Sequence, residues 1–121
     1  MSAWSWKLSS VRELRENPDV YRIRGDMCRF NMIINDAQGP ALAYKPTGWM
    51  SNSMHILSEL NKLCTNSDGK NPPHRHADLQ SGRAAHAAIY PEKLCLSILK
   101  GLRKELTSSK VMYTGEIGNC M

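Results

Sequence analysis

Apolar side chains recur along the chain with two periods, and the changes of period mark its elements. Ser10-Val11-Arg12-Glu13 matches a capping box, in which the Ser hydroxyl and Glu carboxylate each satisfy a free backbone N–H at a helix start. Val11 and Leu14 give this short helix an apolar edge, and the ring of Pro18 ends it by disfavouring a helical residue before it. Residues 20–24 (Val-Tyr-Arg-Ile-Arg) alternate as a strand does. A hairpin follows: a strand over 28–34, a turn at 35–39 (Asn-Asp-Ala-Gln-Gly) and a return strand over 41–44. Lys45-Pro46-Thr47-Gly48 bends the return strand, which Trp49 and Met50 resume. Helical spacing then takes over. Asn52 or Ser53 caps a second helix, with Ile56, Leu57, Leu60, Leu63 and Cys64 on one face. Residues 65–73 carry a plain loop signal, and the alanine-rich stretch 82–89 reads as helical. Pro91 opens the strongest helix, where a missing N–H costs nothing, and Leu94, Cys95, Ile98, Leu102 and Leu106 form its stripe. There is no internal repeat.

These elements describe an α/β or α+β chain, with an antiparallel hairpin and about three to four helices. At 121 residues it fits one domain with a core large enough in principle to fold unaided. Charged residues at 22% and hydrophobic residues at 41% exclude wholesale disorder. The stretch from Thr107 onward is small, polar and glycine-containing, so a domain over 1–106 is followed by a flexible tail over 107–121. Two tryptophans within the first six residues suggest that a core-facing segment has been cut, which would make the domain a partial one.

Sixteen Lys plus Arg against eleven Asp plus Glu leave a net charge of +5, which favours polyanionic partners such as DNA or RNA. The basic residues are scattered rather than gathered in a tail, a pattern that also fits an ordinary solvated surface. No apolar run approaches the roughly 20 residues of a membrane span, and the first residues lack the apolar segment of a signal peptide. The expected location is therefore intracellular, cytoplasmic or nuclear, with reduced thiols and no membrane partner. Under those conditions the four cysteines are buried thiols or metal ligands before they are disulfides.

Cys28, Cys64, His74 and His76 combine two thiols with two imidazoles, the donor set of a tetrahedral zinc site. Pro72 and Pro73 stiffen the loop ahead of His74 and reduce the entropy lost on binding. The spacing Cys64-x9-His74-x-His76 matches none of the familiar paired knuckles, in which two ligands lie close together at each end. A second reading therefore stands beside the first: two small core cysteines and two exposed loop histidines. Cys95 is a substitute ligand, although its place on the helical stripe points to the core. His55 and His86 read as surface helix residues. Asp26, Cys28 and a histidine also admit thiol nucleophile chemistry, which nothing local enforces. Gly48 invites a phosphate-loop reading, and Gly82-Arg83 an anion site at a helix start, with a bent strand and a structural turn as the plainer interpretations.

Several strings occur in order: Trp6-Lys7-Leu8, Gly25-Asp26-Met27-Cys28-Arg29-Phe30, Lys45-Pro46-Thr47-Gly48-Trp49-Met50-Ser51-Asn52-Ser53, His74-Arg75-His76, Gly82-Arg83-Ala84 and Tyr90-Pro91-Glu92-Lys93-Leu94-Cys95. Together they resemble a segment of retroelement-type polyproteins and related open reading frames of single-celled algae, over residues 4–106. In fuller versions that segment follows a Ser-Pro-Pro-Cys motif and a Glu-His-Pro, which look like the catalytic and glutamate motifs of cytosine-C5 DNA methyltransferases. The resemblance implies the C-terminal half of a methyltransferase-like domain, whose first helix follows the fifth strand and whose hairpin lies at the sheet edge. The Ser-Pro-Pro-Cys cysteine and a cofactor glycine loop are both missing from this chain, so no methyl-transfer residue and no S-adenosylmethionine site carry over. Asn31 stands where the family pattern has glycine, and Asn is the non-glycine residue most tolerant of positive φ.

Three functions follow as expectations. The first is a non-catalytic fragment of a retroelement-associated, methyltransferase-like domain, contacting nucleic acid through Lys45, Arg75 and Arg83 or supporting an absent N-terminal catalytic half. The second is a small zinc-stabilised interaction module. The third is an enzyme that completes its active site with another polypeptide; catalysis by this chain alone is not expected.

Overall fold

The computed structural model describes residues 4–80 and 82–112, with side chains to 108. Three α-helices, α1 (Ser9–Glu16), α2 (Met54–Leu60) and α3 (Glu92–Met112), accompany four strands: β1 (Tyr21–Asp26), β2 (Ile33–Asp36), β3 (Gly39–Leu42) and β4 (Pro46–Ser51). The strands form two separate antiparallel pairs, so the fold is α+β. None of the described helices is long and apolar enough to cross a membrane.

β1 pairs with β4 from Tyr21 opposite Ser51 to Asp26 opposite Pro46. Residues 45–48, expected to bend one long return strand, instead end the hairpin and start a new strand in the other sheet. Gly48 lies mid-strand opposite Arg24, in extended backbone that offers no phosphate loop. The hairpin itself is shorter than expected. β2 and β3 pair from Ile33 opposite Leu42 to Asp36 opposite Gly39, around a turn at Ala37 and Gln38. Gly39 takes positive φ (103°), and the Asp36 carboxylate accepts the Gln38 N–H at 2.9 Å.

Residues 28–30, expected in the first hairpin strand, belong to a 3-10 turn (Met27–Phe30). Asn31 closes that turn in the left-handed conformation (φ 59°), as the local sequence allows. The expected capping box is not formed: α1 begins at Ser9 after Leu8, with no side-chain cap. Ser53 does cap α2, its hydroxyl accepting the Ile56 N–H at 3.3 Å. α2 ends at Leu60, which leaves Leu63 and Cys64 outside the helix and frees Cys64 to turn towards the hairpin. The alanine-rich stretch forms a 3-10 helix (Arg83–Ala88) after Gly82, whose φ is 82°.

Met27, Phe30, Met32, Ile34, Ala43, Leu60, Ala77, Ala87 and Leu94 make the buried core, with Ile23, Trp49, Ile56 and Ile98 packed against it. α3 crosses α2 at Gly101, where an added Cβ would lie 2.5 Å from Ile56 Cα. α3 continues to Met112; the rest of the expected tail lies outside the described residues.

Candidate metal centre

Cys28 sits in the 3-10 turn after β1 and is only 4% exposed. The last residue of β1, Asp26, is fully buried beside it. Asp26 donates its N–H to the Lys62 carbonyl at 2.8 Å, and its Oδ2 accepts the Cys64 N–H at 2.7 Å. The Arg29 guanidinium donates to the Leu63 carbonyl at 2.7 Å. The chain leaving α2 is thus held against the turn that carries Cys28, which brings two cysteines 36 positions apart into one site. Arg24 offsets the buried charge of Asp26: its Nη2 donates to Oδ2, while its Nε stands 3.2 Å from Oδ1 without hydrogen-bond alignment.

The histidines are positioned by their own backbone. His74 donates its N–H to Asn66 Oδ1 at 2.9 Å, and Asn66 Nδ2 donates back to the His74 carbonyl at 3.1 Å. His76 forms a parallel bridge to Leu42 of β3, secured where Ala77 donates its N–H to the Leu42 carbonyl at 2.8 Å. Side chains two residues apart in extended backbone point the same way and the one between points opposite. His74 and His76 accordingly converge, while Arg75 turns away to the Asp36 carboxylate and the carbonyls of Gly39 and Pro40. The Tyr44 ring stacks on His76 with centroids 4.8 Å apart.

The four ligand atoms all lie within 4.8 Å of one another. Cys64 Sγ is 3.6 Å from His74 Nε2 and 3.5 Å from His76 Nε2, and the two Nε2 atoms are 2.9 Å apart. For zinc bonds of about 2.3 Å to sulfur and about 2.0 Å to nitrogen, a tetrahedron requires S–N edges of about 3.5 Å and an N–N edge of about 3.3 Å. The two sulfur–nitrogen edges from Cys64 match, and the imidazole pair is slightly closer than the ideal. All four residues are near enough to hold one metal ion.

The protonation chemistry suits ligation. Burial, and contact with the imidazole of His74, lower the His76 pKa and keep its ring in the neutral form that binds metal. Burial, followed by the hydrogen bond with Cys64, pushes the Cys28 thiol well above its ordinary value of 9.0. In the metal-free state Cys28 is therefore a protonated, sheltered thiol, the opposite of an activated nucleophile. A cation would displace that proton. With four protein donors converging, a tetrahedral ion retains no open position for substrate, the arrangement of a structural rather than a catalytic site.

Of the other residues singled out, Cys95 is exposed rather than in the core and lies outside the cluster. His86 is exposed, and His55 is half-buried between α2 and α3. Each candidate phosphate contact has an internal partner. Lys45 Nζ donates to the Ala87 carbonyl at 2.8 Å, Arg75 pairs with Asp36, and Arg83 lies 3.6 Å from Asp78. Asp26, Arg29, Asp36 and Asn66, which hold the four ligands in place, carry no sequence signal for that task. Asp36 ends β2 ahead of the hairpin turn and Asn66 lies in an unpatterned loop, and they fix backbone groups at Asp78 and His74, 42 and 8 positions away. Comparisons with protein-family models, with curated proteins and with solved structures find no match to this chain.

Proposed function

We propose that this chain is a small zinc-stabilised module, in which Cys28, Cys64, His74 and His76 hold a structural zinc ion. The convergence of four soft or borderline donors within 4.8 Å carries the reading. Zinc fits the donor set best, because two thiolates and two imidazoles suit a d¹⁰ ion with no geometric preference of its own, and the edges from Cys64 to both imidazoles have tetrahedral length. The ion would tie the turn after β1 to the loop after α2 and to the segment docked on β3. Such a module presents a surface to partners and has no need of an active site. On the resemblance described above, its setting would be a retroelement-type polyprotein, and an in-frame Ser-Pro-Pro-Cys upstream in the native transcript would support that origin.

Cobalt substitution tests the ligand set. Tetrahedral cobalt with two thiolates gives intense visible d–d bands and sulfur-to-metal charge transfer in the near ultraviolet. Cys28→Ser and Cys64→Ser should each weaken the charge-transfer band by about half, while His74→Ala and His76→Ala should retain it and distort the visible bands. Cys95→Ser should leave both untouched. An octahedral cobalt spectrum, or a spectrum indifferent to Cys28→Ser, would refute the assignment.

A further inference from the structure

The groove between α2 and α3 gathers cationic groups that the metal centre does not use. It encloses about 460 Å³ and is lined by His55, Lys100, Arg103, Lys104, Thr107 and Ser108. Lys100 and Lys104 stand one helical turn apart, about 6 Å along the axis. Both reach Glu59 of α2, Lys104 by a hydrogen bond and Lys100 at 3.9 Å. That carboxylate offsets one of the two ammonium charges. Arg103 has no ion-pair partner among the described residues. Three full positive charges therefore meet one carboxylate, with the His55 imidazole, hydrogen-bonded to the Ser108 hydroxyl at 3.2 Å, at the same wall.

We infer that this groove is a binding site for the phosphate oxyanions of a nucleic-acid backbone. Successive cations along a helix axis suit an acceptor whose charge repeats along its length, and a phosphodiester chain is such an acceptor. The guanidinium of Arg103 supplies a planar donor fork for phosphate, and the lysines supply mobile point charges. An anionic membrane is less well matched. At 100° per residue, the exposed Leu99, Leu102 and Leu106 project about 100° or more around α3 from Lys100 and Lys104. The two lysines thus stand off the apolar face that an interfacial helix would insert, and Arg103 alone borders it, beside Leu99, Leu102 and Leu106. Lys45, Arg75 and Arg83 already bind protein oxygens through their side chains, whereas Arg103 makes no such bond among the described residues.

The test is fluorescence anisotropy of the full chain with a labelled single strand and a labelled duplex of arbitrary sequence, titrated across monovalent salt. Three phosphate contacts predict a log–log salt slope of roughly −2 for a single strand and roughly −3 for a duplex. Arg103→Ala should reduce the slope by about one, and Arg103→Glu should weaken binding by roughly tenfold or more at low salt. Arg12→Glu on α1, an equal change in net charge, should have a much smaller effect. Glu59→Gln, which removes the competing carboxylate, should tighten binding. Melting curves of each variant establish that it is folded. Equal losses for Arg12→Glu and Arg103→Glu would reduce the effect to net charge and overturn the site. Displacement of the labelled strand by millimolar inorganic phosphate would make it a simple anion site, and Arg103-dependent capture by phosphatidylserine vesicles, with no nucleic-acid binding, would make it a membrane contact. Either result would overturn the inference.

Discussion

At Asp26 a fully buried carboxylate meets a backbone N–H, a guanidinium and the two cysteines of the candidate site. It touches the would-be ion only through other groups: its Oδ2 fixes the Cys64 backbone, and its charge opposes ionisation of Cys28 until a cation arrives. Outer-shell groups of this kind typically contribute about 10- to 100-fold in metal affinity. Asp26→Asn keeps one acceptor for the Cys64 N–H and removes the charge that Arg24 balances. Zinc affinity, read by competition with a chromophoric chelator, should fall within that range while the stoichiometry is preserved. A Cys64→Ser variant should lose far more, so the two substitutions separate positioning from ligation. Unchanged affinity in Asp26→Asn would mean that Arg29 and the Lys62 carbonyl hold the loop alone. The residues of the cluster were legible in the sequence by donor type. Their scaffold was not, because Asp26, Asn66 and Asp36 act on backbone groups 8 to 42 positions away.

At the scale of elements, α3 shows most clearly what hydrophobic spacing misses. Its sequence stripe runs through Leu94, Cys95, Ile98, Leu102 and Leu106, but the face against α2 runs through Leu94, Ile98 and Gly101. The contact centre is a residue without a side chain, invisible to a search for apolar periodicity. Close approach at Gly101 rotates the helix so that Cys95 and Leu106 are left outside. Gly101→Ala should be destabilising although alanine favours helix by about 1 kcal/mol. The new Cβ would meet Ile56 Cα at 2.5 Å and the His55 carbonyl oxygen at 2.9 Å, backbone atoms that cannot step aside as a side chain would. A net loss of about 1–3 kcal/mol in denaturant unfolding is expected from overpacking of this kind. A gain in stability would show that α2 and α3 separate readily. The hairpin and the Ser53 cap were legible because turn and cap chemistry are local. The assignment of β4 to a second sheet was not, since it depends on pairing with β1 some 25 positions earlier.

Across the whole molecule, the described residues of 61–91 contain neither α-helix nor named strand, only 3-10 turns and a single bridge at His76. Irregular stretches beyond about 12–15 residues are uncommon inside compact domains unless something ties them down. Three of the four candidate ligands lie in this stretch, and the fourth lies in the turn beneath it. Zinc would therefore act as a missing piece of core, joining long-range segments whose closure entropy the thin apolar cluster alone must otherwise offset. Apparent zinc-binding free energies of about 10–16 kcal/mol in small zinc-binding peptides are comparable with the entire stability of an ordinary domain. Metal binding and folding should then be a single equilibrium.

The most direct test is to purify the full chain without added metal, quantify bound zinc and record thermal melts with and without a strong chelator. About one zinc ion per chain is expected, with a cooperative melt that the chelator abolishes or shifts far downward. A cooperative melt from metal-free protein, unmoved by chelator, would contradict that expectation and leave Cys28, Cys64, His74 and His76 as hydrogen-bonded residues of a self-sufficient core.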